Sequence, residues 1–325
     1  MRILVTGGAG YIGSHTVRAL LARGHDPLVI DNLSYGHKQA VPAERLIVGD
    51  LNDAAVLAKC LDGIDAVVHF AAFAYVGESV TDPAKYYSNN LVNSLSLLDA
   101  CREYGVKRFV FSSTCATYGT PVKVPIDESE KQLPINPYGN TKLAFERALD
   151  DYAAAYQFGF CALRYFNAAG ASADGSIGED HNPETHLIPL AFQAAMGKRP
   201  HLDIFGTDYP TPDGTCVRDY IHVDDLASAH ILALENLEAG CQWKYNVGVG
   251  RGFSVRDVIR TVEDVSGLKV PVKEGPRRAG DPPALVANAD AIRRDLGWSP
   301  CHTELRSIIE TAWNWHRTHP DGYGA

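Results

Sequence analysis

Tyr138 and Lys142 stand four residues apart in the run Tyr138-Gly139-Asn140-Thr141-Lys142. On a helix this spacing puts a phenol and an ammonium on one face, with Cβ atoms about 5–6 Å apart. An ammonium beside a phenol favours the phenolate and lowers tyrosine from its ordinary value of about 10. The pair is then a general base usable near neutral pH. Most pairs with this spacing are solvated helix faces, so chemistry needs a second feature.

Residues 6–13 supply it, reading Thr-Gly-Gly-Ala-Gly-Tyr-Ile-Gly. Gly7, Gly10 and Gly13 form Gly-x-x-Gly-x-x-Gly between an expected strand and an expected helix, with Tyr11 and Ile12 in the same turn. Glycine there allows a tight turn and a close backbone approach to a pyrophosphate, which the helix N-terminus attracts through its N–H groups and dipole. Asp31 ends the second expected strand, about 18 residues beyond Gly13, where a carboxylate can accept hydrogen bonds from an adenosine ribose. The bland alternative is that Asp31 caps a turn. The segment Asn32-Leu33-Ser34-Tyr35-Gly36 carries no arginine to hold a 2′-phosphate, which favours NAD over NADP. Asp50 and Leu51 follow the third strand and border the expected adenine site. Phe70-Ala71-Ala72 ends the fourth strand with residues small enough for backbone to approach a cofactor.

These groups need a frame. Expected strands at 3–6, 28–31, 46–48, 66–70, 109–112 and 161–165 alternate with helical patterns at 14–23, 54–61, 89–104 and 141–156. Such alternation predicts parallel βαβ units in a doubly wound α/β sheet. The nearly continuous apolar runs around 66–70 and 108–113 fit strands covered on both faces. Ser112 and Thr114 then fall at the C-terminal edge of a parallel sheet, which faces the ligand crevice. From 168 to 218 the chain is rich in Gly, Pro, Asp and His and reads as a loop-rich substrate region. The expected organisation is a dinucleotide-binding unit of 1–167 and about 219–250, with a smaller discontinuous unit of about 168–218 and 251–325.

Composition excludes several classes. The 325 residues suffice for a real core, and the formal net charge of −9 argues against a nucleic-acid partner. The longest apolar candidate, 66–77, is too short to span a membrane and contains His69. The start MRILVTGG shows no secretory pattern. Seven scattered cysteines without Cys-x-x-Cys read as reduced thiols in a cytoplasmic protein. No zinc spacing occurs, and His181 and His186 lack a third ligand nearby, so no metal is expected; the two read as surface or substrate-contacting groups.

TGGAGYIGSH, FAAFAYVGES, FSSTCATYG, INPYGNTK, LRYFNAAGA, GTDYPTPDGTCVRDYIHV and PRRAGD run in order over essentially the whole chain. This set resembles the extended short-chain dehydrogenase/reductases, most closely their UDP-galactose (UDP-glucose) 4-epimerases, with UDP-arabinose 4-epimerases close by. The resemblance implies that Tyr138 takes the proton of a sugar 4-hydroxyl, that Lys142 binds the nicotinamide ribose, and that Thr114 hydrogen-bonds the same hydroxyl. It places Ser112, Asn89, Tyr165 and Phe166 around the nicotinamide half of NAD. Arg218 and Arg278 are the cations suited to a diphosphate, because guanidinium pairs with phosphate oxygens in a fork; a surface ion pair is the alternative for either. The resemblance adds Asn167, His186, Leu187, Phe205, Tyr220 and Asp281 around the uridine diphosphate. Two departures are Ala74, where some members carry a lysine touching NAD, and Leu285, where some carry an aromatic that limits the sugar pocket. A homodimer through the helices at 89–104 and 141–156 is implied as well.

Two rival functions share parts of this pattern. Sugar-nucleotide dehydratases and decarboxylases share the Tyr-x-x-x-Lys pair but usually place an acid just after the threonine of the fifth strand, where this chain has Cys115-Ala116. A nucleotide-sensing regulator would bind NAD without needing the catalytic pair.

Overall fold

Short β-branched and aromatic runs form β1 (Arg2–Thr6), β2 (Asp26–Asp31), β3 (Leu46–Val48), β4 (Ala66–His69), β5 (Arg108–Thr114) and β6 (Gly159–Tyr165). The computed structural model describes residues 1–278 and 280–324. Helices α1 (Tyr11–Ala22), α2 (Ala54–Leu61), α3 (Val76–Thr81), α4 (Pro83–Tyr86), α5 (Asn93–Glu103) and α6 (Pro137–Tyr156) lie between these strands. Then follow β7 (Asn167–Ala169), α7 (Leu187–Ala195), β8 (Leu202–Phe205), β9 (Val217–His222), α8 (Val223–Asn236) and β10 (Gln242–Val247). The remainder comprises β11 (Gly252–Ser254), α9 (Val255–Ser266), β12 (Val272–Gly275), β13 (Ala284–Leu285), α10 (Asp290–Leu296) and α11 (Leu305–Thr318).

Seven parallel strands pair in the order β10-β6-β5-β4-β1-β2-β3. The order reverses between β1 and β4, which opens a crevice at the strands' C-terminal ends. Alternation along β1 feeds both faces of the sheet. Ile3 and Val5 pack with Val17 and Leu20 of α1 and with Ile231 and Leu234 of α8. Leu4 joins Leu57 of α2, Leu97 of α5, and Phe145 and Leu149 of α6. A separate core forms around Phe192 of α7, Val258 and Val262 of α9, and Ile308 and Ile309 of α11.

Three differences from the sequence pattern have physical causes. The pattern assigns the whole of 219–250 to the dinucleotide unit. In the structure α8 and β10 do join the large sheet, but β9 pairs with β7, β11 and β13 in a smaller one. A strand's periodicity does not say which sheet receives it. The expected loop region contains α7, whose sequence LIPLAFQAA is apolar almost all round and so lacks an amphipathic signal. The helix expected from 141 begins at Pro137, with the Asn136 side chain accepting from Gly139 N at 2.8 Å. Asparagine before proline at the first helical position is a favourable start, and it brings Tyr138 onto the helix.

One buried ion pair ties three of these elements together. Arg164 of β6 donates to Glu146 of α6 through Nη2 at 2.6 Å and Nε at 3.0 Å. Ser113 Oγ of β5 donates to the same carboxylate at 2.5 Å, and Gln132 Nε2 donates at 3.2 Å. The Arg164 and Glu146 side chains are only 3% and 1% exposed. Burial alone would raise the Glu146 carboxyl, but Arg164 and Ser113 hold it below its ordinary value. Arg164→Leu strands that carboxylate without a partner and should cost about 3–5 kcal/mol in urea denaturation. A loss under about 1 kcal/mol would show that the pair does not hold the sheet to α6.

Candidate active site

The turn from β1 to α1 uses its glycines for different reasons. Gly7 sits at φ +69°, and a Cβ there would lie 2.6 Å from Ala71 N, so it cannot carry a side chain. A Cβ on Gly13 would lie 2.2 Å from Gly7 O. Gly10 is different: it has an ordinary extended conformation, and its Cβ would meet nothing nearer than Gly7 O at 3.4 Å. Packing does not demand glycine at that position. Glycine keeps the N-terminus of α1 open to the cleft, where the first-turn N–H groups of Tyr11, Ile12 and Gly13 have no intrahelical partner. This is a cradle for an anion.

Asp31 ends β2 and accepts from Ala9 N at 3.0 Å and Leu33 N at 2.8 Å. Burial raises its carboxyl, and these two bonds oppose the shift. Asp50 receives Asn32 Nδ2 at 2.9 Å and Asn93 Nδ2 at 3.2 Å, beside the buried Leu51. Phe70, Ala71 and Ala72 follow β4 along the same wall. Asn90, unmarked in the sequence, brackets Phe73 by accepting its N–H at 2.8 Å and donating to its carbonyl at 2.9 Å. That clamp fixes the segment carrying Ala74.

The end of β5 divides its hydroxyls by alternation. Ser113 turns to Glu146, while Ser112 Oγ lies 2.5 Å from Tyr165 OH. Lys142 Nζ donates to Ser112 O at 2.9 Å and stands 5.9 Å from the centre of the Tyr138 ring. Tyr138 and Lys142 are both buried. Burial pushes the Lys142 amine down to about 7, with Glu146 opposing. Burial pushes the Tyr138 phenol well above 10; Tyr165 adds to the shift and the Thr114 side chain opposes it. The expected lowering of the phenol is therefore not produced by the protein's own groups. Dehydration outweighs a lysine that is itself only partly charged near neutral pH.

At the far end, Arg218 Nη1 donates to the Val217 and Pro282 carbonyls at 2.9 Å each, and its Nη2 lies 3.9 Å from Asp281. Arg278 Nε donates to Asp281 at 3.0 Å and its guanidinium lies 5.1 Å from the centre of the Phe205 ring. Asp281 thus accepts from Arg278 and lies beside Arg218, whose guanidinium is held by the two carbonyls. Asn167 Nδ2 donates to Asp219 O at 3.0 Å. Tyr220 is buried, and Leu285 is half-buried on β13. His186 occupies the residue just before α7, immediately ahead of Leu187, without a side-chain cap bond. The sequence spacing gives His181 and His186 no third ligand, but the structure sets Glu179 and Glu184 beside them. Those carboxylates lie close in sequence, in an irregular loop whose spacing matches no familiar motif.

All these expected site residues, from Gly7 to Leu285 and including Asn89, Phe166 and Ala74, line one continuous cleft of 1140 Å³. It runs from the glycine turn, past Tyr138 and Lys142, to Arg218 and Arg278. Its middle can abstract a proton, and each end can hold a phosphate.

The sequence model of the NAD dependent epimerase/dehydratase family matches residues 3–248. The UDP-glucose 4-epimerase of Lacticaseibacillus casei is 52% identical over 100% of this chain and 99% of its own. Among solved structures, the UDP-glucose 4-epimerase of Brucella ovis in complex with NAD is similar at a TM-score of 0.93 and 52% identity, covering 97% of this chain and 98% of that one. The UDP-glucose 4-epimerase of Bifidobacterium longum in complex with NAD+ and UDP is similar at 0.94 and 36%, covering 99% and 100%.

The Lys142 shift has a consequence for stability. Its folded value of about 7 lies below the ordinary 10.5, so between these values the unfolded chain binds the extra proton. Stability therefore rises with pH across that window. In protein stripped of nucleotide, the unfolding free energy of wild type relative to Lys142→Met should climb between pH 7 and 10. A difference that stays flat would mean that the buried amine is not the titrating group.

Proposed function

We propose that this chain, which belongs to the NAD dependent epimerase/dehydratase family, is an NAD-dependent UDP-sugar 4-epimerase that interconverts UDP-glucose and UDP-galactose. The observation that carries this reading is the single cleft, which joins a dinucleotide cradle, the buried Tyr138–Lys142 pair and a two-arginine end. Its residues fit NAD. The open position at Gly10 leaves α1's first-turn N–H groups to the diphosphate, Asp31 has lone pairs left for a ribose diol, and Lys142 and Ser112 flank the nicotinamide end. When bound, NAD+ supplies a reversible acceptor for the hydrogen on C4 and a positive charge beside Tyr138.

Tyr138 takes the 4-hydroxyl proton as a 4-keto sugar forms, and Thr114 hydrogen-bonds the same hydroxyl. Arg218, held by the Val217 and Pro282 carbonyls, and Arg278, held by Asp281, bind the diphosphate, while Asn167, His186, Leu187, Phe205 and Tyr220 surround the uridine and its linkage. The sugar turns about the diphosphate and presents its other face. As the hydrogen that the cofactor would have accepted goes back to the opposite face of C4, Tyr138 returns the proton to the C4 oxygen. Cys115-Ala116 after Thr114 supplies no acid for elimination, which favours epimerisation over dehydration.

Protein purified without added NAD should convert UDP-galactose to UDP-glucose in a chromatographic assay. Tyr138→Phe should cut turnover by at least about 10²-fold with bound NAD unchanged, as for loss of a general base. Full activity in that variant would remove Tyr138 from the chemistry. No conversion by wild type, even with NAD supplied, would favour a nucleotide sensor.

Leu285 supports a broader sugar range, because leucine leaves more room at the cleft than an aromatic ring. Leu285→Tyr should lower turnover of UDP-N-acetylglucosamine more than that of UDP-galactose, and equal losses would detach this residue from sugar size. UDP-xylose belongs in the same assay, since conversion of that sugar alone would rename the substrate and keep the residues. A homodimer through α5 and α6 is supported by the exposed Val92, Tyr104 and Tyr156 at their ends. A cytoplasmic setting is supported by seven free cysteines. Among the described residues, no helix is long and apolar enough to cross a membrane.

A further inference from the structure

The loop that leads into α7 carries a second constellation. Among the described residues, Glu179, His181, Glu184 and His186 each offer one ligand atom, and these atoms all lie within 4.8 Å of one another. Glu179 Oε1 is the hub: it pairs with His186 Nδ1 and lies 3.3 Å from His181 Nδ1. Glu184 Oε2 lies 3.7 Å from that same nitrogen. Both carboxylates are buried, with side chains 4% and 6% exposed. His181 Nδ1 is itself buried between them without a hydrogen-bond partner.

The surroundings hold these donors in place. Glu184 Oε1 accepts from the N–H groups of Thr185 and His186, at 2.6 and 2.8 Å, which leaves Oε2 for the cluster. Trp315 Nε1 of α11 donates to Glu179 O at 3.2 Å. The C-terminal Tyr323 N donates to Asp180 at 3.0 Å, and His37 Nε2 meets the Asp180 carbonyl at 3.0 Å. Backbone anchors of this kind orient ligands as an outer shell does around a metal.

We propose that Glu179, His181, Glu184 and His186 form a structural site for zinc or another first-row divalent cation, separate from the chemistry at Tyr138. Two carboxylates and two neutral imidazoles carry a charge of −2, which a divalent cation cancels. Mixed nitrogen and oxygen donors select first-row ions over calcium or magnesium, which prefer oxygen alone. A tetrahedral ion with bonds of about 2.0–2.1 Å needs donors roughly 3.3–3.5 Å apart, so the widest pair must draw in on binding. Occupancy would fasten the start of α7 to the loop that α11 holds, and so set the cleft edge at Leu187. Metal on Nδ1 of His186 leaves its other ring nitrogen for the cleft it lines.

Untagged protein, stripped with chelator, should be titrated with Co2+ and followed by visible d–d absorption. The site predicts saturation at one equivalent per chain and displacement by Zn2+. Glu184→Gln and His181→Gln, each checked for folding by circular dichroism, should weaken Co2+ binding by roughly tenfold or more. His201→Gln, outside the cluster, should bind as wild type does. Absence of a saturable spectrum in wild type would overturn the proposal and leave the cluster as a hydrogen-bonded network neutralised by protons on its imidazoles. Unchanged affinity in both cluster variants would overturn it equally. Neither readout depends on epimerase activity.

Discussion

The Glu146–Arg164 pair sets the geometry on which the reactive centre depends. Glu146 lies one turn beyond Lys142 on α6, and Arg164 immediately precedes Tyr165 on β6. Ser113, between Ser112 and Thr114, donates to the same carboxylate. Glu146, Arg164 and Ser113 are thus each one residue or one helical turn from a group at the candidate site. Arg164 Nη1 also reaches Tyr118 OH at 2.9 Å, and that hydroxyl donates to Asn246 of β10 at 2.8 Å. The charges lie too deep to be worth much as attraction alone; breaking the pair is what is costly. Such a pair fixes register: α6 cannot slide or rotate on β5 and β6 without stranding a buried carboxylate.

That rigidity holds Tyr138 and Lys142 buried in the wall of the cleft. Both titrate against their function when only protein groups are counted: the phenol is held protonated, and the amine has lost much of its affinity for a proton. A base built this way has little reactivity of its own and gains it from a positive charge brought into the cleft. Low local polarity, which penalises the isolated ions, strengthens their interaction with that charge. In the proposed reaction proton removal is therefore tied to a bound, oxidised cofactor.

What the sequence disclosed was local. The glycine turn, Asp31 and the Tyr138–Lys142 spacing each depend on backbone geometry within a few residues, and the order of strands and helices follows from periodicity. Relations between distant segments left no such trace. Nothing in the chain marks Glu146 as the partner of Arg164, or Asn90 as the bracket around Phe73. The strand at 217–222 reads as a strand, but its sheet is chosen by β7, β11 and β13. Helix α7 has no amphipathic signature because its apolar surface meets Val258, Val262 and Ile308 on one side and the cleft on the other. His181 and His186 stand out in the sequence, but Glu179 and Glu184 do not, because only an irregular loop makes that spacing converge.

The polar groups along the cleft are unevenly distributed, and that distribution suits inversion better than simple oxidation. Fixed hydrogen-bond donors gather at two places, around Ser112, Lys142 and Tyr138 and around Arg218, Arg278 and Asn167. The cleft wall also includes Cys115, Ala116, Ile135, Phe166 and Leu285. In the proposed reaction side chains of this kind would offer a sugar's hydroxyls few directional partners, so neither face of the ring would be strongly preferred. A dehydrogenase that releases its product gains specificity from a tightly held sugar. An epimerase must bind the sugar weakly enough to turn it, so its affinity has to reside in the nucleotide. In the proposed reaction the two arginines and Asp281 would provide that remote grip, and the apolar wall would leave the reacting ring free to rotate.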